Sequence, residues 1–376
     1  MPDKKIKKSL PPTENYVKMT VMPIDEHAID SHKLHLHPQE VNKWLNGNKQ
    51  GVFPLYVEIS PVGHCNHRCT FCAVDYIGYK VRKIEVQRMK IILDDMSRYG
   101  VKSIMYAGEG EPLLHPDIGE IINYTKSVGI DVGITTNGVA LTEKLVNECL
   151  DSITWIKVSM NGGEISYGKV HQTKQKDYET VLKNLAYAKG RRKQTTLGIQ
   201  TVILPENVGE LEQIGRRGQE AGADYYVLKP YSQHKKSWTD TYKGIKYADY
   251  VDAVNSAVSM SCEEFKVIAR INSMSQWDEG KPKYQKCYST PYFWAYIMAT
   301  GDVYGCSAYL LDDRFNYGNI NKELFSAVWL GDKRKESMRY VENDLCIDEC
   351  RMNCRMDKVN QYLWELKNPK EHVNFI

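Results

Sequence analysis

Cys65, Cys69 and Cys72 fall within eight residues, in the run Gly63-His64-Cys65-Asn66-His67-Arg68-Cys69-Thr70-Phe71-Cys72. Thiolates spaced C-x3-C-x2-C can wrap one four-iron cluster, which offers four corners to such a loop. Three cysteines fill three corners and leave one iron open to an outside ligand. A structural zinc loop completed by His64 or His67 is the alternative, although zinc usually draws its four ligands from two separated pairs. Cys287, Cys306, Cys346, Cys350 and Cys354 gather in the last quarter, while Cys149 and Cys262 stand alone. Two groups separated by an almost thiol-free span read as two metal sites rather than a disulfide framework.

The elements that must carry these groups begin at Leu55. Short β-rich runs, at Leu55–Ser60, Ser103–Ala107, Asp131–Thr135, Trp155–Ser159, Thr196–Ile203 and Tyr225–Lys229, alternate with longer amphipathic stretches. In Val86–Tyr99, for example, Met89, Ile92, Leu93 and Met96 recur at helical spacing. Gly100, Gly129 and Gly222 stand where a helix stops before the next strand. Six β–α repeats predict a parallel sheet, curved or open, with its active face at the strand C-termini. Beyond residue 230 the rhythm changes to a helix (Ala248–Met260), a strand (Phe265–Ile271), a hairpin turning at Thr300-Gly301-Asp302, and helix-like stretches carrying the last three cysteines. The division expected is a polar extension over 1–50, a core over 51–240 and a cysteine-rich unit over 241–376. The first segment holds Pro11-Pro12, a short helix (Pro38–Leu45) and a Leu-His-Leu-His run at His35 and His37, read as surface rather than metal site.

The three-cysteine motif, with Phe71 before its last member and a strand before its first, resembles the signature of the radical S-adenosylmethionine (SAM) enzymes. The resemblance implies a partial (β/α)6 TIM-like barrel with a small C-terminal α+β extension. It also implies a [4Fe-4S] cluster on Cys65, Cys69 and Cys72 whose open iron is chelated by SAM, and a 5′-deoxyadenosyl radical made by one-electron cleavage of SAM. Glu109-Gly110-Glu111-Pro112 is similar to the family's Gly-Gly-Glu-Pro turn with its first glycine replaced, so Gly110 and Glu111 are expected beside the SAM amino group. Asn137, Ser159 and Asn161 lie at the ends of the third and fourth strands, where the family contacts the nucleoside; alone, they would read as caps or turn formers. Val202 resembles the apolar shelf under adenine, and Phe71 borders the adenine or simply packs.

Cys287-x13-Gly301-x4-Cys306 resembles the opening of the SPASM and Twitch extensions, which carry auxiliary iron–sulfur clusters, and Gly318-Asn319-Ile320 and Trp329 recur in them too. Five cysteines stand where a full SPASM extension has seven. That implies a second, auxiliary [4Fe-4S] cluster, single and Twitch-like, with one of Cys346, Cys350 and Cys354 to spare. On a helix, their four-residue spacing would set them on one face.

The resemblance implies hydrogen abstraction from a small hydroxylated substrate (a sugar, aminocyclitol or nucleotide-sugar). The auxiliary cluster then accepts an electron, and a flavodoxin- or ferredoxin-type donor supplies the first one. Epimerisation is the alternative, with Cys262, Cys149 or the spare cysteine returning hydrogen. Peptide modification is a further one, although the polar stretch before the barrel is short for a leader-binding domain. A zinc-binding scaffold is the reading outside enzymology. Lys229, Gln233 and His234 leave the sixth strand as candidate contacts to hydroxyl or phosphate, with His234 placed to take a hydroxyl proton. Asp75, Tyr76 and Tyr79 are further candidates. A net charge of +3 over 376 residues and 42% hydrophobic content call for neither nucleic acid nor membrane, and a cytoplasmic location is expected.

Overall fold

The computed structural model describes residues 27–375; Pro11-Pro12 lies outside them. Six parallel strands alternate with helices in the expected order. They are β1 (Tyr56–Ile59), β2 (Ser103–Tyr106), β3 (Asp131–Thr136), β4 (Trp155–Ser159), β5 (Thr196–Val202) and β6 (Tyr225–Lys229). Before them lies α1 (Pro38–Leu45); between them lie α2 (Val86–Arg98), α3 (Ile118–Ser127), α4 (Glu143–Cys149), α5 (Tyr167–His171), α6 (Asp177–Arg191) and, after β5, α7 (Leu211–Glu220). The remainder comprises α8 (Val251–Val258), β7 (Lys266–Ala269), α9 (Ile271–Glu279), β8 (Trp294–Ile297), β9 (Asp302–Tyr304), β10 (Asn316–Asn319), α10 (Phe325–Leu330), α11 (Asp332–Asn343) and α12 (Asp357–Lys367). No helix of the described residues is long and apolar enough to cross a membrane.

All ten strands form one sheet, ordered β10-β9-β8-β1-β2-β3-β4-β5-β6-β7. β7 extends the barrel beyond β6, with Tyr225 opposite Lys266. β8 pairs in parallel with β1 on the other side, with Tyr56 opposite Trp294, and β9 and β10 follow antiparallel. Strands from both sides of residue 240 therefore share one sheet. β7 and β10 remain as edges, so the barrel is partial.

Alternation along the strands separates two environments. Val57 and Ile59, Ile156 and Val158, and Tyr226 and Leu228 point outward and share one core with the helices, including Met89, Ile92 and Met96 of α2. Each such fully buried side chain contributes about 1.5–3 kcal/mol. Tyr225, Val227 and Ile268 point inward and form a separate small cluster with Ile29. Two inward positions are glycines with a steric reason. A Cβ on Gly133 would lie 2.3 Å from the Trp155 ring, and one on Gly198 would lie 2.1 Å from the Tyr225 ring. The two rings thus fill the floor of the barrel.

One expectation fails in the C-terminal segment. Cys346 and Cys350 flank a 3-10 turn, Ile347–Glu349, and Cys354 lies in the loop before α12, with Asn353 at φ +54°. No continuous helix carries them, because the 3-10 turn and the left-handed Asn353 interrupt the helical path.

The segment before β1 is tied to α11 by Arg334, whose guanidinium is buried, stacks over Trp329 at 4.2 Å and reaches the carbonyls of Pro291, Trp329, Lys49, Gln50 and Val52. Burial, against the partial offset of nearby Tyr317 and Tyr292, pulls its pKa down to about 10. Arg334→Met leaves those carbonyls without their donor and is expected to cost ~3 kcal/mol. A calorimetric scan of the variant checks this; an unchanged Tm would refute the role given to Arg334.

Candidate active site

The chain leaves β1 at Ser60 and turns sharply into the cysteine loop. Gly63 N–H donates to Arg82 O (2.9 Å), and Glu111 N–H donates to His64 O (2.9 Å). Gly110 is packed against this loop: a Cβ there would stand 2.4 Å from Val62 O and 2.5 Å from His64 O. The close approach of Val62 and His64 explains why glycine stands here. Glu111 is buried and accepts from Thr136 Oγ1 (2.6 Å), Asn137 N (2.7 Å) and Leu113 N (3.1 Å). Burial raises its pKa to about 7 despite those three donors. They use three of the roughly four acceptor sites of a carboxylate, so one remains for an ammonium group. Glu109 is occupied differently, by Arg82 (3.2 Å) and Ala299 N (2.9 Å).

The three thiols are free and half-buried. Cys69 is surrounded: burial raises its pKa, and Cys72 and Cys65 beside it raise it further. Burial likewise pushes Cys65 up to about 11. Deprotonating three crowded, half-buried thiols is unfavourable unless a cation takes up the charge, and a metal cluster does so. Donors already point at the sulfurs. His67 N–H donates to Cys65 Sγ (3.4 Å), and Asn137 Nδ2 lies 4.0 Å from that sulfur and 2.6 Å from Asn66 Oδ1.

A buried histidine pair braces the loop. Arg68 N–H and Thr70 N–H donate to His171 O and Val170 O, the end of α5. His171 Nε2 accepts from Asn161 N–H (3.0 Å), so the ring proton sits on Nδ1, 3.4 Å from Cys69 Sγ and 3.3 Å from His67 Nδ1. Tyr167 stacks on the ring at 4.3 Å, and Phe71 meets it edge-on at 6.1 Å. His67, Cys69 and His171 bring their ligand atoms within 4.8 Å of one another. With Nε2 accepting and Nδ1 protonated, His171 donates to sulfur rather than binding an ion. Burial, then the neighbouring His67, holds its pKa well below the ordinary value, so the ring is neutral. His64 Nδ1 and Asn161 Nδ2 are buried without a partner among the described residues, leaving polar atoms for a ligand.

The other expected positions are spread over the barrel mouth. Ser159 ends β4 opposite Gln200, and Asn161 Oδ1 accepts from Val202 N (2.7 Å), joining the ends of β4 and β5. Lys229 ends β6 on the inward face. His234 is buried, stacks on Tyr76 at 4.6 Å, accepts from Lys236 N at Nδ1 (3.0 Å) and meets Tyr76 Oη at Nε2 (3.3 Å). Burial, then Arg351, lowers its pKa to about 4. Both nitrogens are used inside protein, so it is no hydroxyl base. Cys262 is exposed before β7, at the end of the sheet away from the cysteine loop, among Gln219 and Glu264. That distance removes it as a hydrogen donor. Cys149 is buried in the helix layer, its thiol on Leu145 O.

The second group closes over the mouth. Met352 O accepts from Ser232 Oγ (2.8 Å), and Arg355 reaches the inward Glu58 at 2.9 Å. Cys306, pushed to about 12 by burial, also senses Cys287 and Cys350; Cys354 senses Cys306 and Cys287. Cys350 lies 3.8 Å from Tyr309 Oη, and Cys346 is exposed. Asp75, by accepting from Trp238 N and Ser237 Oγ, ties the loop after the first cysteines to the loop after β6.

Residues 59–217 match the Radical SAM superfamily, and residues 287–355 match the SPASM iron–sulfur cluster-binding domain. The chain carries a radical SAM domain followed by a SPASM domain. SAM, a [4Fe-4S] cluster and auxiliary iron–sulfur binding come with that assignment. The chain is 39% identical over 92 residues to GTP 3′,8-cyclase of Chlorobaculum tepidum, covering 24% of this chain and 28% of that protein. It is 23% identical over 310 residues to mycofactocin maturase MftC of Mycolicibacterium smegmatis, covering 78% and 76%. Streptococcus suis SuiB bound to SAM shares the fold, with TM-score 0.61 and 19% identity over 81% of this chain and 72% of that one; SuiB is also solved with its precursor peptide SuiA.

Sequence reasoning missed Lys157, Glu58, Arg351 and Arg355. The signal for Lys157 was the alternation Trp-Ile-Lys-Val-Ser, which sets it on the same face as Ser159. Burial, then Arg355 and Arg270, pulls Lys157 down to about 7. In the unfolded chain it titrates near 10, so the unfolded state binds more protons between the two values and stability rises with pH there. Lys157→Met is therefore expected to raise Tm, by more at about pH 6 than at about pH 9. Equal gains at both would refute a strained charge.

Proposed function

We propose that this radical SAM chain oxidises a small hydroxylated substrate, a sugar, aminocyclitol or nucleotide-sugar, with an auxiliary cluster taking up the electron. When bound, SAM and its cluster supply a 5′-deoxyadenosyl radical and the second cluster an electron acceptor. Cys65, Cys69 and Cys72 would hold the first cluster, with His171 Nδ1–H at the Cys69 sulfur and His67 N–H at the Cys65 sulfur placed to stabilise thiolate charge. Glu111 offers its remaining acceptor site to the SAM ammonium, Asn161 its free Nδ2, and Ser159 and Val202 line the nucleoside side. A flavodoxin- or ferredoxin-type protein is the electron donor.

The observation that carries the reading is the bridge between the two cysteine groups. Tyr76, four residues past Cys72, stacks on His234. His234 in turn packs on the Ser307 and Ala308 backbone directly after Cys306. An electron leaving a substrate in the barrel has an acceptor site beside it. Cys287, Cys306, Cys350 and Cys354 form the ligand set, with exposed Cys346 as the spare. Peptide modification is the second reading, favoured by the likeness to SuiB, which binds a precursor peptide. It predicts that an oxidised product is found on a peptide rather than a small molecule.

Iron and sulfide after anaerobic reconstitution test the ligand sets. About eight irons are expected in wild type, ~4 in the Cys65→Ala/Cys69→Ala/Cys72→Ala protein, ~4 in Cys354→Ala and ~8 in Cys346→Ala. Full iron in Cys354→Ala, or loss in Cys346→Ala, would reassign the spare. Only ~4 irons in wild type and none in the triple variant would remove the oxidase reading.

A further inference from the structure

We propose that the barrel interior binds the phosphate of a phosphorylated small-molecule substrate, held by Lys157 from β4 and Lys229 from β6. The inference rests on the reading that substrate occupies the barrel. Strand alternation puts Glu58, Lys157 and Lys229 on the inward face, because Val57, Ile59, Ile156, Val158, Tyr226 and Leu228 all belong to the outer core. Arg270 follows inward Ile268, and Arg355 enters from the C-terminal loop to Glu58.

Counter-ions sort these cations. Arg355 is matched by Glu58 at 2.9 Å and Arg270 by Asp30 at 3.5 Å, while Arg351 faces the thiols of Cys354 and Cys306. The side chains of Lys157 and Lys229 have no hydrogen bond or ion pair among the described residues; the Trp155 ring, 5.6 Å from Lys157 Nζ, is the one ring contact. Each lysine is held below its ordinary pKa by burial first and by the other cations next, Lys157 itself being the first of these for Lys229. Glu58, the carboxylate that acts on Lys157, is already paired with Arg355, so two ammonium groups in one interior are disfavoured in the free protein, and a bound anion favours their charged forms. A phosphate dianion matches two ammonium groups, whereas one carboxylate leaves a charge over. Lys229 stands opposite Val202, the shelf position, so a phosphate beneath it leaves the rest of the substrate to extend towards the cysteine loop.

Calorimetric titration of the reconstituted full chain with inorganic phosphate, pyrophosphate and succinate, each with and without saturating SAM, tests this. Phosphate and pyrophosphate are expected to bind with SAM present, and succinate at least tenfold more weakly. Lys157→Met and Lys229→Met are each expected to weaken phosphate by about tenfold or more, with Lys157→Arg close to wild type. Should a methionine variant fail to fold, the corresponding Lys→Gln protein takes its place. Succinate binding as tightly as phosphate overturns the proposal in favour of a carboxylate substrate. Loss of phosphate binding when SAM is present overturns it too, since the lysines then serve the SAM carboxylate, as does wild-type affinity in both variants. Reduction of wild type with dithionite and measurement of 5′-deoxyadenosine separates the two readings. Phosphate binding without SAM cleavage sinks the radical function and leaves the anion site, and the converse sinks the anion site alone.

Discussion

The parallel pairing of β1 with β8 is the constraint on which the rest depends. β1 leads into the first cysteine loop, and β8 opens the hairpin that delivers Cys306. Hydrogen-bonding them side by side fixes the second cysteine group against the barrel without any linker geometry. It also leaves the sheet with edges at β7 and β10, so no strand among the described residues closes the barrel. The gap is covered instead by the loop of Cys350 to Cys354, seated through Met352 and Arg355. One pairing thus sets both the distance between the metal groups and the route by which a substrate would enter.

Inside that frame, charge is arranged unevenly. Carboxylates beside the cysteine loop, Glu109 and Glu111, are buried but supplied with donors. The interior is different: its cations outnumber its carboxylates, and two lysines carry no partner among the described residues. Proteins tolerate such unpaired interior charge mainly where function uses it. His67 N–H points at Cys65 and His171 Nδ1–H at Cys69, donors suited to sulfur that becomes anionic on binding iron.

Much of this was legible in the sequence. The cysteine spacing, the six strands and the Gly301 hairpin are local signals, and strand limits agree within a residue or two. What failed was long-range. His234 reads as a substrate contact placed to take a hydroxyl proton, and only the fold shows it wedged between Tyr76 and the backbone after Cys306. Gly110 reads as a ligand contact because glycine turns bind ligands, and only the fold shows the close approach of the protein's own backbone that also calls for glycine there. The last three cysteines sit at helical spacing, but the 3-10 turn between Cys346 and Cys350 breaks the register. His171 gave no signal, since its partner Cys69 lies far away in the chain.

The two cysteine groups differ in how the chain prepares them. The first is one short loop, already fastened by backbone hydrogen bonds from Gly63, Arg68, Thr70 and Glu111. The second draws on residues from Cys287 to Cys354, which only the folded chain brings together. A cluster there closes long loops and acts as a cross-link, restricting the unfolded chain much as a disulfide does. On the proposed reading, losing iron from the first site would cost the radical chemistry, and losing it from the second would free the loop of Cys350 to Cys354 that Met352 and Arg355 seat on the barrel. Oxygen damage to the auxiliary cluster is therefore a structural injury as well as a chemical one.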